Sequence, residues 1–272
     1  MKKCILISSS FLILAFQTSA STYTPCTEAE TNAQTCWNCG QTCSARLTYE
    51  NEQDAAAQQN ATLTFSGSGK INNYESPHGN PDLIGVEPWY QYRDTITKAV
   101  VEEGITAVGA RSIYRLKNLA EVSLPDSLSL IEQRAFYGSH ALQNITLPEN
   151  LTAIGNYAFQ GTNITKLVLP QNVKLSNYTF WCENKEESCI ALPLENLYCA
   201  ENNMTACQQA VAHLGITPMP YQNTNGKYLY NNRFYDSLSD IASGNYIKKR
   251  IYTVDEANRV SGKKNSFKIR YK

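Results

Sequence analysis

The chain runs to 272 residues, its 24 Lys/Arg balanced by 24 Asp/Glu, and 42% of its residues are hydrophobic. Beyond the first twenty residues no apolar stretch is long enough to cross a bilayer, which excludes a helical integral membrane protein. The zero net charge hides an asymmetry: residues 227–272 hold eleven Lys/Arg against four Asp/Glu, and residues 21–226 hold eleven against twenty. A basic tail on an acidic body points either to an anionic partner or to docking of the tail onto its own protein.

Residues 1–20 read as a secretory signal peptide. Lys2 and Lys3 form the charged start, Ile5 to Phe16 a short apolar core, and Thr18-Ser19-Ala20 a small-residue exit. The expected destination is therefore export, with the protein secreted, periplasmic or at the cell surface. Cys4 precedes the apolar core and is misplaced for lipid attachment at a cleavage site. Removing the leader leaves eight cysteines in two local groups: Cys26, Cys36, Cys39 and Cys43, then Cys182, Cys189, Cys199 and Cys207. An even number suits an oxidising compartment, and each group allows three pairings among which spacing does not choose.

Cys36-Trp37-Asn38-Cys39 has the spacing of a redox pair, and with Cys26 and Cys43 it has the ligand count of a tetrahedral zinc site. A thioredoxin-like pair needs a strand before it and a helix after it, whereas the surroundings here are polar. Export argues against zinc. Structural disulfides are expected instead, with no metal and no cofactor.

Residues 21–45 carry little to bury and form a cysteine-rich segment. In residues 46–88, ARLTYE and ATLTFSG alternate apolar and polar residues, with Leu47, Tyr49, Leu63 and Phe65 on one face, so a β-hairpin cap is predicted. NEQDAAAQQN between them reads as a polar loop or one helical turn. Gly67 and Gly69 are expected to end the second strand, and SPHGNPD (76–82) reads as a loop.

From about Trp89 a unit of about 23 residues recurs. LPDSLSLIEQRAFYGSHALQNIT (124–146) and LPENLTAIGNYAFQGTNITKLV (147–168) are the clear copies. VEEGITAVGARSIYRLKNLAEVS (101–123) is a divergent copy, and a degraded one starts at Leu169-Pro170. Equivalent positions carry the same chemistry: Val108, Ile131, Ile154 and Leu175; Ile113, Phe136, Phe159 and Phe180; Leu119, Leu142 and Ile164. Such a period marks a stacked repeat, in which each unit buries its apolar face only against its neighbours. AEVSL, QNITL and TKLVL should pair as a parallel sheet, each stopped by a proline at 125, 148 or 170. The Ala-Phe segment returns as a helical turn or an irregular loop.

Residues 200–215 read as a short helix ended by Gly215, closing a repeat region of 89–215 with cysteine-stapled ends. PMPYQNTNG gives 216–226 the composition of a linker. Residues 227–272 form a basic, Tyr-rich module. In it Thr253 and Glu256 fit a capping box, and SFKIRYK fits a last strand.

The units resemble the leucine-rich repeats of BspA-like bacterial surface proteins. NLTAIGNYAFQGTNITKLVLP follows that family's LP-x-x-(L/V)-x-x-I-G-x-x-A-F pattern, and ATLTFSGSGKI is similar to the segment that precedes such repeats. The resemblance covers about residues 46–180. The family's mid-repeat Cys or small residue is Ser139 and Thr162 here. The resemblance implies a secreted or cell-surface binding protein, often discussed as an adhesin. The expected fold is then α+β, mainly β: a short leucine-rich repeat solenoid with a parallel sheet, an N-terminal β-hairpin cap and a small C-terminal α+β module.

Aligned units place Lys98, Glu121, Asn144 and Lys166 in one exposed column of the sheet, with Val100, Ser123, Thr146 and Val168 beside it. That mixture suits contact with a protein or glycan of host or neighbouring cells better than a small-molecule pocket. Lys248, Lys249 and Arg250, with Lys263 and Lys264, are candidates for contact with an anionic envelope polymer. An exported protein rarely meets nucleic acid, so that partner is not expected. His78, His140 and His213 are scattered and fit no nucleophile or metal motif, so an enzyme is not expected. The Asn-x-Thr triplets at Asn60, Asn144, Asn150, Asn163, Asn177 and Asn203 are read as products of the repeat pattern. A structural envelope component, attached by its basic tail, is the second reading.

Overall fold

Alternation of small and large apolar residues around four cysteines builds the N-terminal cap. In a computed structural model, which describes residues 23–74, 87–181, 192–224, 227–231, 233–235 and 237–244, helix α1 (Glu28–Asn32) opens with a capping box. Thr27 accepts from the Glu30 amide, and Glu30 reaches back to the Thr27 amide. Strands β1 (Cys36–Gly40) and β2 (Thr42–Tyr49) form a tight antiparallel pair. Helix α2 (Glu52–Ala57) then leads into β3 (Ala61–Lys70), which lies antiparallel to β2 from Thr42/Ser68 to Tyr49/Ala61. Cys26 is bonded to Cys36 and Cys39 to Cys43. Strand β1 was not expected from so polar a segment. Its apolar content is hidden in cysteine: Cys36, Cys39 and Cys43 are fully buried beside Ala45, and Trp37 packs edge-on against the buried Trp89. Strand β2 also runs through the boundary expected at residue 45.

The second correction in the cap concerns its glycines, which bend β3 instead of ending it. Residues Ala61–Phe65 pair in parallel with β4 (Ile96–Val101), while Gly69 and Lys70 pair with β5 (Ile105–Val108). Gly67, at φ +111°, sits at the changeover, where an added Cβ would lie 2.0 Å from the Thr42 carbonyl oxygen. No other residue fits that position.

Two parallel ladders leave this branch point. One runs from β4 to β6 (Glu121–Ser123); the other runs from β5 through β7 (Leu130–Ile131) and β8 (Ala153–Ile154). The first resumes at β9 (Lys166–Val168), and among the described residues the second ends at β10 (Lys174–Leu175). The Ala-Phe segments are turns, tied from unit to unit by backbone bonds such as Ile113 N to Ala135 O and Phe136 N to Ala158 O. Ile113, Phe136, Phe159 and Phe180 stack through the interior, each under 2% exposed. Each such side chain contributes on the order of 1.5–3 kcal/mol by leaving water. Ser139 and Thr162 are buried, and their hydroxyls donate to the carbonyls of Ile113 and Phe159.

Asparagines of the Asn-x-Thr triplets join the same framework. Asn150 donates to Asp126 O, Asn163 to His140 O and Asn203 to Val173 O. Their amides satisfy turn carbonyls of an earlier segment, a structural role for these side chains.

At the C-terminal side, β11 (Asn196–Ala200) pairs in parallel with β9, and α3 (Met204–Val211) follows it, stapled by the Cys199–Cys207 disulfide. Gly215 ends this helical stretch at φ +69°. The residues expected to be a linker are instead strand β12 (Met219–Thr224), parallel to β11 and antiparallel to β13 (Lys227–Tyr230), which pairs with β14 (Arg233–Tyr235). Tyr221 explains the difference. It is 1% exposed and donates a 2.6 Å hydrogen bond to Leu169 O, so burial outweighs the strand-breaking character of Pro220. The chain is therefore mainly β with a parallel repeat sheet, and the last strands among the described residues extend that sheet. Helix α4 (Leu238–Ser243) then folds back against β9. The expected signal peptide, Cys182, Cys189, His78, the loop expected at 76–82, the expected Thr253/Glu256 box and SFKIRYK lie outside the described residues.

Candidate functional site

Short strands set one above another present one side-chain column per position. Lys98 lies beside Glu121, and Val100 beside Ser123, across β4 and β6. The Lys98 ammonium is 3.3 Å from the Glu121 carboxylate, and both side chains are well exposed, so this pair orders the surface but stabilises it by ~0–1 kcal/mol at most. Ser123, Asn144 and Thr146 are exposed, and Lys166 is half-buried.

The column is not continuous. Residues 144–146, which the alignment makes a strand between β6 and β9, form no ladder with either neighbour. A cleft opens at that break, roofed by α4. One lobe, of about 370 Å³, is lined by Asn144, Thr146, Thr165 and Lys166 below and Leu238 and Ser243 above. The other, of about 380 Å³, lies among Ser123, Asp126 and Glu149 and is covered by Ser237 and Leu238. Thr146, Leu147, Leu238 and Ser239 border both. Hydroxyls, one amide, one ammonium and two carboxylates thus face a largely aliphatic floor, an arrangement able to take several hydrogen bonds from a polar chain.

Val168 is a correction. It borders the cleft, but at 6% exposure it belongs to a small second core with Tyr198, Leu238 and Ile241, and offers a ligand little surface. Lys98 and Glu121 stand on the same ladder outside the cleft. Lys248, Lys249, Arg250, Lys263 and Lys264 lie outside the described residues.

Helix α4 contributes wall residues that composition did not single out. Its signal is present in the sequence: Ser237 accepts from the Asp240 amide and donates to its carboxylate, and Leu238 and Ile241 follow at helical spacing. Glu149 holds the same region from below, as the Tyr228 hydroxyl donates to its carboxylate; burial, aided by that carboxylate, keeps the Tyr228 phenol above its ordinary range.

The cysteine motif resolves into structure. Cys36 and Cys39 are not bonded to each other; each is held in a separate disulfide, to Cys26 and Cys43. Near that cap a buried carboxyl does titrate unusually. Glu87 is 3% exposed with one carboxyl oxygen lacking a hydrogen-bond partner, and burial pushes it up to about 7 against the pull of Arg111 and Arg93. The Tyr74 hydroxyl beside it is likewise buried without a partner.

Comparison with known proteins bears on the repeats. Residues 106–241 match the family model described as BspA type leucine rich repeat region, in six copies. A leucine-rich repeat protein from Eubacterium ventriosum superposes with a TM-score of 0.44 at 22% identity, over 72% of this chain and 48% of its own. The Treponema pallidum leucine rich repeat protein does so with a TM-score of 0.36 at 19% identity, over 57% of this chain and 68% of its own. A third, from Bacteroides ovatus, is 21% identical with a TM-score of 0.32, over 48% of this chain and 35% of its own. The chain thus spans about half the length of the Eubacterium protein. A search of curated proteins returns no match.

Proposed function

The chain belongs to the BspA-type leucine-rich repeat family, and from that premise we propose that it is an exported binding protein, secreted or held at the cell surface, that recognises a protein or glycan of host or neighbouring cells through its repeat face. Repeat-based recognition is what such an array offers: a rigid surface whose side chains recur at fixed spacing. The observation that carries the reading is the two-lobed cleft at the break in the first ladder, where Ser123, Asn144, Thr146 and Lys166 come together. An extended polar chain laid along it meets hydroxyl and amide groups in sequence, with Lys98 and Glu121 at the approach. No catalytic step is assigned. Among the described residues no helix is long and apolar enough to cross a membrane.

The test is adhesion of the mature protein to host-cell and neighbouring-cell surfaces, comparing the native chain with Glu121→Lys/Lys166→Glu. Reversing both charges leaves the buried core untouched and should lower retention by about tenfold, the effect of one lost charge-assisted contact. Unchanged retention would remove the repeat face from the reading. The charge asymmetry of the tail supports a second role, attachment to anionic envelope polymer. In that case a chain lacking residues 245–272 should appear in the medium instead of the cell fraction.

A further inference from the structure

The return turns carry a second set of recurring side chains. Arg111, Arg134 and Tyr157 occupy equivalent positions and share a left-handed backbone, with φ of 57°, 55° and 59°, so each turn delivers that side chain in the same way. Beside them Tyr114 and Tyr137 stack with centroids 5.1 Å apart and planes at 18°. The Arg115 guanidinium lies 5.2 Å and 5.9 Å from those two rings, and that of Arg134 lies 4.8 Å from the Tyr157 ring. Ring contacts continue from Tyr157 to Tyr178 at 6.1 Å and from Tyr178 to Trp181 at 6.0 Å. Tyr178 and Trp181, 49% and 38% exposed, are the exposed large hydrophobic side chains among the described residues.

Two details make this ridge a built surface. Arg115 takes part in no ion pair among the described residues, although residues 21–226 are acidic overall, and it lies against Tyr114 instead; Arg111 lies on the same ring and also acts on the buried Glu87 carboxyl. The aliphatic stem of Arg115 also fills the place of a missing side chain at Gly138, where an added Cβ would come within 2.9 Å of its Cγ. A guanidinium laid on a ring keeps its N–H edge outward, and that planar fork matches a carboxylate with two parallel hydrogen bonds. Farther along the same turns, the exposed faces of Tyr178 and Trp181 suit the apolar faces of sugar rings. The acidic body repels a densely charged polymer, so a chain with one carboxylate per sugar is favoured over a sulfated one.

We propose that this ridge binds a uronic-acid polysaccharide, with Arg115 taking a carboxylate and Tyr178 and Trp181 stacking on sugar rings. The experiment is titration of the full mature chain with polygalacturonate, read by Trp fluorescence and by isothermal calorimetry, with dextran and dextran sulfate as neutral and sulfated polymers. Polygalacturonate should bind and dextran should not, and Arg115→Gln and Tyr178→Ala should each raise Kd by about tenfold. Tyr178→Ala changes an exposed side chain and Arg115→Gln keeps the stem packed at Gly138, and an unaltered thermal transition verifies their fold. The proposal fails if both variants bind as the native chain does, or if dextran sulfate binds as tightly as polygalacturonate. It fails equally if no polymer binds, or if charge removal at Lys248, Lys249 and Arg250 abolishes binding while the ridge variants leave it intact.

Discussion

Phe136 and Phe159 stack with ring centroids 5.6 Å apart and planes only 7° from parallel. They occupy the same position in successive units, so each is the floor of one repeat and the ceiling of the next. Phe136→Ala leaves a cavity that a parallel backbone cannot close, and should cost about 3–5 kcal/mol. Urea unfolding measures it. A loss under about 1 kcal/mol would show that the units do not depend on that stack.

Tyr221 joins the last sheet strands to the repeats through its bond to Leu169 O. Tyr221→Phe keeps the ring and strands the carbonyl, so a loss of about 1–3 kcal/mol is expected. Leu238→Asp puts a charge into the small core over β9 and should release α4. Hydrogen exchange should then rise in 166–168 and 238–243 while 130–136 stays protected; uniform exchange in both would contradict the packing of α4 on β9.

Glu87 gives the fold a pH dependence with a definite sign. Burial raises its pKa from an ordinary 4.5 to about 7, so between those values the folded chain holds a proton that the unfolded chain has released. The contribution is complete below pH 4.5, is lost as pH rises through 7, and amounts to roughly 3 kcal/mol. Glu87→Gln should flatten this part of the stability profile. A profile with the same slope in that variant would assign it to another group.

Cys199 and Cys207 close a short loop at the C-terminal end of the array. Replacing both with Ala should lower stability by about 2–3 kcal/mol, the entropy of a loop of that size. Peptide mapping of the unreduced protein should recover Cys26 with Cys36 and Cys39 with Cys43. A peptide carrying a Cys36–Cys39 bond would revive redox chemistry for the cap.

The repeats were legible because their information is periodic. Ile131 and Ile154 or Phe136 and Phe159 announce equivalent sites without reference to anything distant. β12 was not, because Pro218, Pro220 and the asparagines around them describe local preference, while the burial of Tyr221 depends on Leu169, 52 residues earlier. Strand β1 was missed for the opposite reason: its hydrophobic content is oxidised cysteine, which looks polar in a short segment. Ser123, Asn144, Thr146 and Lys166, aligned by the period, all border the cleft, since columns follow from the repeat. It misplaced Val168, because nothing local says that Leu238 will cover it. The tyrosine ridge carries a readable signal in Tyr114 and Tyr137, spaced by one unit like the core residues, but a tyrosine at that spacing reads equally as core packing.

Strand β3 feeds both ladders from one piece of backbone. Two exposed strand edges, each a template for another chain, are thereby sealed by one three-stranded cap whose outer strand β1 is short and cross-linked. Duplicated units inserted downstream of β5 would lengthen both ladders in step. An extra unit placed ahead of β4 would have to break that junction first, so an array of this design can grow in one direction only.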